Sequence, residues 1–228
     1  MPGEIALVGG DEFRIGCEVM DREIMRASGR VPARVVVVPT AAVAGPAKAA
    51  NDGTTHFAAL GGESSHLMLL EKEHAEDPSF FAPVTKADVV YFTGGSPENL
   101  FETLNDSQFF RALLVASNEG TVLAGSSAGA MVMGAMMRRP RLGGWVDALS
   151  VVPGVAVLPH HERRDQSEVS KELQETAPGD LVYLGIDART GCLGSPGNWR
   201  VVGVGKVTVY LDKDWQIFRA GDKLPSGF

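Results

Sequence analysis

Short apolar, β-branched runs recur along the chain at Ile5–Val8, Arg34–Val38, Ser65–Leu69, Val89–Phe92, Val122–Ala124 and Val155–Leu158. They are largely apolar rather than alternating, which suits strands covered on both faces. Between them lie longer stretches, Phe13–Ala27, Pro46–Ala59, Ser107–Asn118 and Ala128–Met137, with apolar residues at helical spacing. This alternation of strand and helix predicts an α/β fold with a single doubly wound, mostly parallel sheet flanked by helices. After about Leu181 the pattern changes to Trp199–Val204, Val207–Leu211 and Gln216–Arg219, separated by Gly203 and Gly205 and by Asp212 and Asp214. These read as short antiparallel strands at one sheet edge, at the C-terminal end. No repeat, low-complexity segment or linker divides the chain, so 1–228 reads as one domain.

Composition narrows the classes of function. The chain has 228 residues, 44% hydrophobic and 21% charged, enough for a sizeable buried core. A net charge of −7 argues against a nucleic-acid partner, which needs a basic face. The cluster Arg138, Arg139 and Arg141 is too short to change that and suits a solvated helix end. Val35–Val38 typifies the longest apolar runs, far short of the roughly 20 residues of a membrane span, so no membrane association is expected. The chain starts directly into Ile5–Val8 without a leader-like segment, and Cys17 and Cys192 form neither a C-x-x-C pair nor a disulfide framework. A reducing cytoplasm fits this usage. No cofactor or metal motif is present: Gly9-Gly10 alone is no dinucleotide fingerprint, and His66 and His74 are poorly spaced as metal ligands. A homodimer is the default expectation for assembly.

The segment Val122-Leu123-Ala124-Gly125-Ser126-Ser127-Ala128-Gly129-Ala130 runs from a predicted strand into a predicted helix and contains G-x-S-x-G centred on Ser127. A nucleophile on such a turn needs glycine on either side, where backbone segments crowd. The Ala128 N–H then points, with the helix N-terminus, toward a developing oxyanion. The structural alternative is a small-residue corner with serine as N-cap.

A second pair, Gly94-Gly95, follows the strand Val89–Phe92, at the carboxyl end where open α/β sheets place ligands. Gly95 N–H is the candidate second oxyanion donor, while Ser96 and Pro97 explain the start of the next helix by capping alone. A serine nucleophile needs a base. Of the five histidines, His160 and His161 follow Val155–Leu158 at its carboxyl end, on the rim where Ser127 emerges.

These segments resemble the dipeptidase E and cyanophycinase family of serine peptidases, whose fold is like that of class I glutamine amidotransferases. Gly-Ser-Ser-Ala-Gly-Ala at 125–130, Phe92-Thr93-Gly94-Gly95 and Pro159-His160-His161 carry the resemblance, which covers nearly the whole chain. It implies Ser127 as nucleophile, His160 rather than His161 as base, Gly95 and Ala128 as oxyanion donors, and Gly94 beside the substrate. It also implies a small peptide substrate with an α- or β-linked aspartate before the scissile bond, read by an arginine, for which Arg164 or Arg163 is the candidate. Where the family carries Gly-Ile-Asp-Glu with glutamate as triad acid, this chain reads Gly185-Ile186-Asp187-Ala188. Asp187 is the neighbouring carboxylate, yet on a strand it needs a bulge or bend to reach His160. After Gly94-Gly95, Ser96-Pro97 replaces the family's polar pair.

Two functions follow. The first is a metal-independent serine dipeptidase. The second is a catalytically weak or inactive relative acting as a peptide-binding or regulatory protein, for which Ala188 is the main support. A glutamine amidotransferase would need cysteine at position 127.

Overall fold

The computed structural model describes residues 1–139, 143–211 and 214–227. Arg141 of the basic cluster and Asp212 of the last predicted turn lie outside them. In chain order the elements are β1 (Ile5–Val8), α1 (Glu18–Ala27), β2 (Arg34–Val38), α2 (Pro46–Ala59), β3 (Glu63–His66), α3 (Phe81–Thr85), β4 (Val89–Phe92), α4 (Pro97–Leu104), α5 (Gln108–Asn118), β5 (Val122–Ser126) and α6 (Ala128–Met133). There follow β6 (Met136–Arg138), β7 (Trp145–Asp147), β8 (Val155–Pro159), α7 (Gln166–Thr176), β9 (Val182–Ile186), β10 (Thr190–Ser195), β11 (Asn198–Gly203), β12 (Lys206–Leu211) and β13 (Asp214–Arg219).

The fold is α/β around a seven-stranded sheet of order β11-β10-β1-β5-β4-β2-β3. Its strands from β1 to β3 in that order are parallel, and β10 and β11 join antiparallel at the β1 side. The continuous apolar runs are explained by parity. Ala6, Val8, Val35, Val37, Val89 and Tyr91 face α1 and α2, whereas Ile5, Leu7, Val36, Val38, Val90 and Phe92 face a larger core with Leu100, Leu104, Phe109 and Leu113. Both faces of β1, β2, β4 and β5 are therefore dry, as the pattern predicts, while β3 at the edge is largely exposed.

The C-terminal strands do more than extend that edge. A second sheet, β13-β12-β9-β8, places the parallel pair β8 and β9 beside antiparallel β12 and β13. Its inner residues Val155, Val157, Leu184 and Ile186 join the larger core, while Ala156, Tyr183 and Tyr210 pack outward against Val169 and Leu173 of α7. The predicted strand Val155–Leu158 thus belongs to this second sheet and not to the central one.

Three boundaries differ from the periodic pattern. The helix expected from Phe13 starts at Glu18, because Phe13 and Gly16 adopt φ of 62° and 101°. The Phe13 ring is instead wedged between Phe57 and Tyr91, at centroid distances of 5.8 and 5.3 Å. The helix expected to reach Met137 stops at Met133, and Met136–Arg138 pairs with Trp145–Asp147. The buried strand expected at Ser65–Leu69 is instead the largely exposed edge strand β3, set nearer the N-terminus by its register with β2, Arg34 opposite Glu63 and Val37 opposite His66.

Candidate active site

Ser127 follows β5 directly and has φ 49° and ψ −106°, a conformation that L residues rarely adopt. Its neighbours enforce the turn. A Cβ on Gly125 would lie 2.5 Å from the Gly129 carbonyl, and one on Gly129 would lie 2.6 Å from the Phe92 oxygen. Ser127 N–H donates to Val8 O at 2.9 Å, tying the turn to the end of β1. The glycines of G-x-S-x-G are thus required by close backbone approach.

The Gly94-Gly95 loop lies beside this turn, with the Gly94 Cβ position 3.3 Å from Ser127 Cβ. Gly95 has φ 140°, and its Cβ position would fall 1.9 Å from Ala41 O, so only glycine fits. Among the described residues neither Gly95 N–H nor Ala128 N–H has a protein acceptor. Gly94 N–H, by contrast, donates to Glu12 Oε1 at 2.7 Å, and Ser126 Oγ donates to Glu12 Oε2 at 2.8 Å. Glu12 is a strut that links the β1, β4 and β5 loops. No local motif marks it in the sequence, although Gly9-Gly10 at the carboxyl end of β1 marks the same rim.

His160 comes from the second sheet. It leaves β8 in the left-handed region, φ 52° and ψ 39°, and its N–H donates to Gly9 O at 2.8 Å. Its ring lies over Gly10, where a Cβ would stand 2.2 Å from His160 Cε1. Gly9-Gly10, which is no dinucleotide fingerprint, is therefore the seat of the imidazole. His161 points the other way. It is buried, its Nε2 is 2.8 Å from Tyr210 Oη, and burial pushes its pKa down to about 4.

Ser127, His160, Gly94 and Gly95 line one open cleft of about 980 Å³, together with Glu12, Arg14, Lys48, Asp52, His56 and Arg189. His56 is itself held by a fully buried carboxylate, with Nε2 2.7 Å from Asp21 Oδ2. Burial drives the Asp21 pKa up against the opposing pull of His56.

Two of the expected site residues are not in this constellation. Asp187 Oδ2 accepts from Lys206 N–H at 3.1 Å, and burial raises its pKa. Its carboxylate faces the Gly205 turn and makes no hydrogen bond to His160, whose buried Nδ1 is without a partner among the described residues. Asp187 stands just past the end of β9, in the turn before β10, where the Lys206 N–H holds its carboxylate. Arg164 also lies elsewhere, since it bonds Glu172 at 2.6 Å and lines a separate cavity with Trp145 and His161. Arg163 pairs with Glu162 at 3.2 Å. The cleft arginines are Arg14 and Arg189, which make no ion pair among the described residues. Neither was singled out in the sequence, because nothing local distinguishes them from surface arginines.

Among the described residues no group of three or more His, Cys, Asp or Glu side chains could hold a metal, and no helix is long and apolar enough to cross a membrane.

Comparison with known proteins gives a consistent picture. The family model described as peptidase family S51 matches residues 6–190. A crystal structure of a peptidase from an acI-B1 Actinobacterium superposes with a TM-score of 0.85 at 26% identity, over 99% of this chain and 97% of that one. A putative peptidase E protein from Listeria monocytogenes EGD-e is similar in fold, with a TM-score of 0.59 at 17% identity over 97% of this chain and 100% of that one. No curated protein matches the chain at a significant level.

Proposed function

The chain belongs to peptidase family S51, and on that premise we propose that it hydrolyses small peptides by a serine mechanism, through an acyl-enzyme on Ser127. The strained Ser127 turn, facing a cleft shared with His160, carries this reading. His160 Nε2 takes the Ser127 Oγ proton as the oxygen attacks the scissile carbonyl. The Gly95 and Ala128 N–H groups receive the oxyanion, and α6 adds the positive end of its dipole. His160 then returns the proton to the leaving amine and activates the water that frees Ser127. No metal or cofactor takes part in this scheme.

The cleft's charges favour a dipeptide with an acidic first residue. Arg14 and Arg189 offer guanidinium groups to its side-chain carboxylate, in place of Arg164. Asp11 and Asp52 are available to its free α-ammonium.

A second reading, a relative that binds peptides without cleaving them, draws on the unpartnered Nδ1 of His160. A fluorophosphonate reagent separates the two. Hydrolysis predicts an adduct on Ser127 that disappears in Ser127→Ala, and turnover of Asp-X dipeptides reduced about 10⁶-fold in that variant. A wild type that binds Asp-X but neither labels nor turns over would establish the second reading.

A further inference from the structure

We propose that Glu162 is the residue that positions His160, supplying from the turn after β8 the carboxylate that Ala188 lacks. The proposal rests on the serine mechanism above. A base that must present Nε2 to serine needs its other nitrogen held as Nδ1–H by an acceptor, and His160 Nδ1 is buried with no partner among the described residues.

Four carboxylates stand on the loops around His160, and of these Asp11 lines the open cleft, whereas Nδ1 is buried. Both oxygens of Glu12 are engaged by Gly94 N–H and Ser126 Oγ. Asp187 is turned to Lys206 N–H, and burial raises its pKa, the wrong direction for a group that must stay anionic. Glu162 remains. The left-handed backbone of His160 starts a short 3-10 turn, His161–Arg163, that brings the Glu162 side chain back across the end of β9. There Glu162 Oε2 accepts from Ala188 N–H at 2.8 Å.

This bond fixes one oxygen beside Ala188, the residue whose own side chain is only a methyl. Burial alone would raise the Glu162 pKa, but the Ala188 N–H and the nearby His160 and Arg163 charges hold it below the usual range. Among the described residues Oε1 is bound only by Arg163 Nε at 3.2 Å, in a pair whose arginine side chain is 65% exposed. Such a pair exchanges with water at little cost. Rotation of Oε1 onto His160 Nδ1–H completes the relay. The Ser127 proton then goes to Nε2, the Nδ1 proton stays on the ring, and Glu162 stays ionised beside the imidazolium.

The test is the rate of fluorophosphonate labelling of Ser127 against pH, in wild type, Glu162→Gln, Glu162→Asp and Asp187→Asn. Glu162→Gln is expected to slow labelling about 10²-fold, less than the ~10⁴ of a buried triad aspartate, because its side chain is 35% exposed. The acid limb of its pH profile moves to lower pH as the negative charge beside the imidazolium is lost. Glu162→Asp recovers most of the rate, and Asp187→Asn stays within about threefold of wild type. Equal denaturation midpoints for wild type and Glu162→Gln separate this role from a structural one. A Glu162→Gln variant that labels at the wild-type rate with an unshifted profile overturns the assignment and leaves the serine mechanism standing. A wild type that never labels overturns both.

Discussion

The two halves of the cleft are built differently. The Ser127 half is backbone against backbone: Gly125 on Gly129, Gly129 on Phe92 and Gly95 on Ala41 leave no room for any side chain. The His160 half is a side chain lowered onto a glycine, joined to the central sheet by the Gly9 O bond and anchored from behind by His161 on Tyr210. Atoms locked at van der Waals limits have one arrangement, whereas a ring resting on Gly10 can swing. The first half should therefore fail by unfolding and the second by losing its alignment.

The largest effect expected from this contrast is in the first half. Gly129→Ala puts a Cβ 2.6 Å from the Phe92 carbonyl oxygen and 3.0 Å from Phe92 Cβ, both inside the buried sheet. Neither atom can yield without moving β4, so a loss of about 3 kcal/mol or more is expected. A urea titration checks it: the midpoint falls while the slope stays the same. A midpoint like that of wild type would mean that the serine turn is as adaptable as the histidine side.

The next effect is on the anchor behind His160. His161 has a pKa of about 4 in the folded chain, lowered by burial, against about 6.5 when exposed. Between those values the unfolded chain binds a proton that the folded chain does not. Its contribution is complete above about pH 6.5 and is lost as the pH falls toward about 4, by up to ~3 kcal/mol. Urea midpoints at neutral pH and near pH 4.5 should therefore drop more in wild type than in His161→Gln. Parallel drops would show that His161 does not couple the second sheet to acidity.

The same contrast governs what the sequence discloses. The serine turn is legible because its pattern is local: strand, small residues and helix start follow one another, and Gly125 answers to Gly129 four residues on, even though Gly129 answers to Phe92 on β4. The parallel strands are legible because both faces of the sheet are covered, which makes Ile5–Val8 or Val89–Phe92 apolar throughout. The second sheet is far less so. In α7, Val169 and Leu173 pack on the second sheet while most other positions are polar, and β10 carries glycines that only its pairing with β1 and β11 makes strand. Which carboxylate serves His160 depends on the direction in which the 160–164 turn leaves β8, a property of φ at one residue. Asp187 is close in sequence to the expected position yet faces Lys206, and Glu162 is close in space through that turn.

Where the two halves meet, Gly10 offers the sharpest contrast with Gly129. It ends the segment after β1, has φ 123°, and an added Cβ would stand 2.2 Å from His160 Cε1 and 2.6 Å from Nε2. Unlike the Phe92 carbonyl, that obstacle is the end of a side chain, which can rotate about its own bonds into the open cleft. Gly10→Ala should therefore cost only the backbone strain, roughly 1–2 kcal/mol. Under the proposed serine mechanism the displaced imidazole loses its alignment with Ser127, and a misplacement of about 1 Å in a reacting group is worth roughly 10²-fold in rate. Labelling of Ser127 should slow by that factor, about 2.7 kcal/mol of barrier, in a protein that still unfolds cooperatively. If labelling kept its wild-type rate, the ring would have to be held by something other than its seat on Gly10, and Glu162 gripping Nδ1 would be the remaining restraint in this part of the cleft.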